Sequence, residues 1–265
     1  MDKNQVLKKL QMMEVMYVPY ARATNMPFIV CDEETYNDQI FIFREEKDVQ
    51  VFAKEYTAKS IPLMGVKFKN DQFLNFYTSL FTMGVNAIVY IEGEETVELE
   101  LLELVQPPDY SQLPEEKRPL SNPQLQLTGL YFMQELRRKV DNEEKKNLPE
   151  LEEEMAANLV KARYIVSMRV NEKDDEEVEG GKKSEVQVPF VKNNNGEIFQ
   201  PVFTDVGEFN KFNREKNLKG VVMNFDKLQS ILMEQSKGIV VNPLGFNLII
   251  LKEQIPAFVK RFEQE

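Results

Sequence analysis

The sequence predicts an α/β fold, with α+β as the alternative: two similar mixed-sheet modules with helices, joined by a Pro-rich and helical connector. Three observations lead there. Apolar blocks recur in the same order in both halves of the 265-residue chain. Within each half, short apolar runs of strand length alternate with stretches whose apolar residues return at i, i+3, i+4 and i+7. Between the halves, Pro107, Pro108, Pro114, Pro119 and Pro123 suit an extended connector rather than a helix.

The first module is expected over residues 1–105. It opens with a helix through Val6 to Met12 and a strand at Tyr17-Val18-Pro19. Ile40 to Phe43 has the length of a strand, and Val49, Phe52, Ala53 and Tyr56 mark one face of the next helix. Val66 and Phe68 follow on a strand, and Phe73, Phe76, Tyr77, Leu80 and Phe81 share a face of a second helix. Ile88-Val89-Tyr90 is the next strand, and Val97 to Leu101 alternates as a half-buried strand does.

Residues 106–148 form the linker and a connector helix over Leu125 to Val140, and residues 149–265 form the second module. Its helix begins at Leu148-Pro149-Glu150. Tyr164-Ile165-Val166 aligns with Tyr17-Val18-Pro19, Pro189-Phe190-Val191 with Pro27-Phe28-Ile29, and Val202-Phe203 with Ile42-Phe43. Phe209 and Phe212 align with Val49 and Phe52, Val221 and Met223 with Val66 and Phe68, and Ile239-Val240-Val241 with Ile88-Val89-Tyr90. The spacing between partners changes only between apolar blocks, where loops accept insertions. The largest change marks an acidic loop insertion over 171–185, with Glu172 to Glu177 and Gly180-Gly181 inside it. Asp205 with Glu208 three residues on has the form of a helix-capping box. The last strand, Phe246 to Leu251, is apolar nearly throughout, which predicts cover on both faces.

In Asn242-Pro243-Leu244-Gly245, Pro at the second position and Gly at the fourth fit a type I turn linking two antiparallel strands, with Asn242 bonding back to local backbone. On that reading, Asn242→Ala removes one local hydrogen bond and costs about 1 kcal/mol. The first module has Ile91-Glu92-Gly93 there instead.

Composition excludes several kinds of chemistry. The chain contains no His, so imidazole acid/base catalysis, Ser-His-Asp and Cys-His arrangements and His-ligated zinc are ruled out. Cys31 is the single cysteine, and the carboxylates of Asp32, Glu33 and Glu34 beside it raise rather than lower a thiol pKa. Carboxylate pairs such as Glu94-Glu95 and the run Glu152 to Glu154 sit in stretches that read as solvated. With 33 Lys and Arg against 44 Asp and Glu, the net charge of −11 opposes binding to nucleic acid or acidic membranes. No apolar run reaches the ~20 residues that span a bilayer, and the N-terminus lacks a signal-peptide core, so a cytoplasmic location is expected. No catalytic residue, metal ligand or cofactor is assigned.

Phe190, the block Pro201 to Asp205 with Glu208-Phe209, and Gly238 to Pro243 together resemble the N-terminal domain of the SseB family, named for enhanced serine sensitivity. The resemblance runs from about Arg163 to Leu251, and residues from about Met16 to Leu104 are similar to a degenerate second copy. It implies a bacterial cytoplasmic α/β module without established catalytic residues and of poorly defined role, for which binding another protein is the common reading. Asn242, Pro243, Gly245 and Phe190 are its candidate interaction residues. The expected function is therefore a non-catalytic protein-interaction or regulatory module. A small-molecule sensor or carboxylate-dependent enzyme with a pocket between the modules stands as one alternative, and a toxin-neutralising protein, suggested by the acidic charge, as another.

Overall fold

A computed structural model describes residues 1–171 and 185–262. The core of the acidic insertion, 172–184, lies outside the described residues. By contacts the chain divides into two compact units, one of residues 1–118 and 123–155, the other of 119–122 and 156–265.

The first unit contains α1 (Lys3–Met12), β1 (Val15–Ala21), β2 (Met26–Pro27), β3 (Val30–Cys31), β4 (Asp38–Phe43), α2 (Glu46–Ala58), β5 (Leu63–Lys69), α3 (Asn70–Thr82), β6 (Ala87–Glu92), β7 (Glu95–Glu100), α4 (Leu101–Leu104) and α5 (Pro123–Leu136). Its mixed sheet runs β2-β1-β4-β6-β7, with β3 also on β4 and β5 also on β1. Only β4 and β6 are parallel. Helices cover both faces of β4, which is why that strand is apolar on both: Ile40 and Ile42 are fully buried on one side, and on the other the Phe41 and Phe43 rings lie 4.7 and 5.2 Å from Phe52 of α2. Phe28 and Tyr56 extend this aromatic layer at 4.7 Å. The connector helix α5 starts at Pro123, whose fixed φ suits a first helical turn, and it packs on the first unit: the Tyr131 hydroxyl donates to Asp38 at 2.6 Å and Arg137 to the Ala23 carbonyl at 2.6 Å.

The second unit follows with α6 (Leu148–Lys161), which begins within the first unit's span, then β8 (Arg163–Asn171), β9 (Glu185–Gln187), β10 (Val191–Lys192), β11 (Ile198–Phe203), α7 (Val206–Phe212), β12 (Lys219–Asn224), a 3-10 helix (Phe225–Ile231), β13 (Ser236–Val241), β14 (Leu248–Leu251) and α8 (Gln254–Phe262). Its sheet runs β12-β8-β11-β13-β14, with β10 on β11 and β9 on β8, and β11 and β13 are its parallel pair. The two sheets are wired alike. Ile42 faces Tyr90 as Val202 faces Val241, and Ile88 faces Leu99 as Ile239 faces Ile250.

The ladders shift two of the sequence alignments by one residue. Val18 faces Val66 and Val166 faces Val221, so the counterpart of Val18 is Val166 rather than Ile165. Val30 faces Gln39 and Val191 faces Phe199, so the counterpart of Val191 is Val30 rather than Ile29. Matching Tyr17 to Tyr164 and Pro27-Phe28 to Pro189-Phe190 favours the other register, but side chains alternate along a strand, and a one-residue slip would turn each core face outward.

The units differ in the helix after the first parallel strand. α2 has 13 residues and α7 has 7, about 20 Å against about 10 Å of cover. α7 stops because Asn213 turns the chain: its side chain accepts from Leu218 N at 3.0 Å and donates to Leu218 O at 3.0 Å. In α7 only Phe209 and Phe212 pack on the sheet, with ring centroids 5.5 and 5.3 Å from Phe203. The expected two-faced cover of the last strand is wrong. Leu248 and Ile250 are buried, while Ile249 and Leu251, on the other face of this edge strand, are 42% and 37% exposed, as their counterparts Glu98 and Glu100 are exposed in the first unit.

Candidate functional site

The parallel strands β11 and β13 end side by side, and the segments that follow them, Thr204-Asp205 and Asn242-Pro243, form one buried polar cluster. Asn242 has φ of 49°, a left-handed conformation that asparagine tolerates, and it is fully buried. Its Oδ1 accepts from Thr204 N at 3.0 Å and its Nδ2 donates to Thr204 Oγ1 at 2.8 Å. The Thr204 hydroxyl donates in turn to Asp205 Oδ2 at 2.8 Å, and Asp205 Oδ1 caps α7 by accepting from Glu208 N at 2.9 Å. The turn bond expected from the sequence exists, Gly245 N to Asn242 O at 2.9 Å. The side chain of Asn242 does not bond locally, however, and instead ties together strand ends 38 residues apart.

Glu208 belongs to the same cluster. It is buried, its Oε1 bonds Lys211, and its Oε2 has no hydrogen-bond partner. Burial pushes its carboxyl above the ordinary range; the Asp205 charge adds to that and Lys211 opposes it. Instead of reaching back to complete the expected capping box, Glu208 turns toward Lys211. Gly245 lies against it, and a Cβ on Gly245 would come within 2.7 Å of Oε2. This close approach accounts for glycine at a position where the turn alone only favours it.

The cluster suits holding a loop better than reacting with a substrate. The Thr204 hydroxyl and the Asp205 carboxylate are in hydrogen-bond contact, but both are buried and both are engaged within the cluster. Among the described residues, no group of three or more His, Cys, Asp or Glu side chains is placed to hold a metal ion. Cys31 is exposed and unpaired, and its thiol is raised by burial first and then by Asp38, Asp32 and Glu154. No described helix is long and apolar enough to cross a membrane.

Of the four candidate interaction residues, Asn242 and Gly245 sit inside the cluster and Pro243 is half-buried above it. Phe190, 46% exposed with the Lys192 ammonium 5.8 Å from its ring centroid, lies at the other end of β11, where β10 pairs with Ile198 and Phe199. The outward residue of the turn is Leu244, 44% exposed. Thr204 and Glu208 are partners of the turn that the sequence does not reveal, because nothing local joins positions 204 and 208 to 242 and 245.

A second feature emerges once the ladders fix register. Val222 faces Ile165, which faces Phe203, while Ile249 faces Val240 and Leu251 faces Gly238. All three therefore share the sheet face that α7 only partly covers. The first unit has Lys67, Glu98 and Glu100 in the matching ladder positions. Exposed apolar side chains thus replace charged ones, and Val222 is 49% exposed.

Residues 136–257 match the family model described as the SseB protein N-terminal domain, a span that takes in α6, every strand of the second sheet and the start of α8. A search of curated proteins finds no match. Similar solved structures include Anabaena Tic22, described as protein transport, at 9% identity over 90% of this chain and 92% of that one, with a TM-score of 0.21. Tic22 from Plasmodium falciparum is 13% identical over 98% of both chains, also with a TM-score of 0.21.

Proposed function

We propose that the second unit, which carries the SseB N-terminal domain pattern, is a non-catalytic cytoplasmic module that docks another protein on the sheet face that α7 only partly covers. The observation that carries the reading is the exchange of Lys67, Glu98 and Glu100 in the first unit for exposed Val222, Ile249 and Leu251 in the second. Charge on edge strands is a usual device against unwanted pairing, and β12 and β14 are the edge strands of their sheet. Apolar groups kept in water at those positions mark a surface for a partner. Asn242, Thr204 and Gly245 then act indirectly, by holding the turn that presents Leu244 beside β14.

The test gives the second unit the first unit's residues: Val222→Lys, Ile249→Glu and Leu251→Glu together. Parent and variant are compared for thermal melting and for proteins captured from a native lysate of the source cells. The expected result is unchanged melting with specific loss of a protein that the parent retains. Equal capture by parent and variant overturns the docking face, and turnover of a metabolite by the purified chain overturns the non-catalytic assignment.

A further inference from the structure

The side-chain clamp of Asn242 on Thr204 has no counterpart in the first unit, where Ile91 and Arg44 stand at those positions and Arg44 N donates to the Ile91 carbonyl at 3.2 Å. β4 and β6 are that unit's parallel pair, and Arg44 and Glu45 follow β4 where Thr204 and Asp205 follow β11. Beyond the end of β4 lies a cavity of about 510 Å³, bounded by the last turn of α1, the start of β1 and Arg44. That volume is in the range of small-molecule sites, and the carboxyl ends of parallel strands are where α/β sheets bind ligands.

Its lining departs from the charge of the rest of the chain. Lys8, Lys9 and Arg44 converge here, against Glu14 as the one lining carboxylate, in a chain of net charge −11. Glu92, at the end of β6, bonds Lys9 and accepts from the Tyr90 hydroxyl at 3.0 Å. Lys8 and Arg44 are exposed at the mouth, and Arg44 also interacts with the Tyr90 hydroxyl and the Glu92 carboxylate, so an anion here would share its guanidinium with them. The rest of the wall is apolar: Met13, Val15 and Met12, the last 78% exposed. A flexible thioether side chain held in water beside two cations is suited to folding over a ligand.

We propose that the first unit binds a small organic anion in this cavity, a carboxylate or phosphate group on an apolar body, with Arg44 and Lys8 holding the anion and Met12 packing on the body. The guanidinium fork matches either oxyanion.

Calorimetric titration of the full chain with octanoate, octyl phosphate, inorganic phosphate and neutral octanol tests this. Either octyl anion should bind at least about tenfold more tightly than octanol, and the ratio between the two anions identifies the headgroup. Inorganic phosphate should bind more weakly than octyl phosphate. Arg44→Gln should weaken the preferred anion about tenfold, and raised salt should weaken it further. Lys8→Gln, at an exposed helix position, should do the same to a smaller degree and tests the site independently should Arg44→Gln disturb the fold. No binding of either octyl anion, octanol binding as tightly as the anions, or both variants binding like the parent would each overturn the proposal.

Discussion

Asn242 acts as a clamp between two strand ends, and its replacement tests that role directly. Asn242→Ala removes both bonds to Thr204, leaves a buried Thr204 N–H without its acceptor and puts a Cβ-bearing residue without a compensating polar group at φ of 49°. An unsatisfied buried donor costs about 1–3 kcal/mol, and the lost second bond and the strained φ add to it. We therefore expect urea denaturation to register a loss of about 2–4 kcal/mol, above the 1 kcal/mol that a local turn bond would give. A loss below 1 kcal/mol would restore the simple turn. Glu208 offers a pH readout of the same cluster. A carboxyl held above its unfolded value of about 4.5 stabilises the fold while protonated, and that contribution is lost as pH rises through the raised pKa. The melting temperature of the parent relative to Glu208→Gln should accordingly fall as pH is taken from 4 to 8. A difference that is flat or rises with pH would mean that Lys211 outweighs burial.

At the level of elements, β12 and β14 are the edge strands of the second sheet, and their positions there expose Val222, Ile249 and Leu251 where the first unit exposes Lys67, Glu98 and Glu100. β8 and β9 raise a different question, because they pair in register up to Asn171 opposite Glu185. Deleting Glu172 to Gly181 leaves Lys182, Lys183 and Ser184 to join them, a connection of ordinary hairpin length. The deletion variant should melt within a few degrees of the parent. A large drop, or insolubility, would show that the removed residues pack on the fold.

The whole chain carries a charge of −11 and a sequence pI near 4.9. A fluorescence anisotropy titration with duplex DNA at physiological salt should show no saturable binding, because phosphate contacts need a cationic surface many residues wide and the cations at the α1 cavity are too few. Saturable binding in the micromolar range or tighter would contradict the charge argument. The same net charge favours encounter with basic proteins, so association with the partner proposed for the second unit should slow as salt is raised if that partner is basic.

The sequence by itself determined the fold class, since helical and strand periodicities are local and burial on a sheet enforces them. It also located the turn at Asn242, because proline and glycine restrict the backbone wherever they occur. Tertiary structure decided what those residues do. The bond from Asn242 to Thr204 and the contact of Gly245 with Glu208 join positions that no local rule connects. At β1 and β3 the register lies one residue from the one that matching side chains indicate, because ladder pairing imposes an alternation that residue identity does not carry. The open face of β14 is hidden from the sequence for a related reason: Ile249 and Leu251 are as apolar as buried strand residues, and only their place on an edge strand, where the first unit has exposed Glu98 and Glu100, puts them in water.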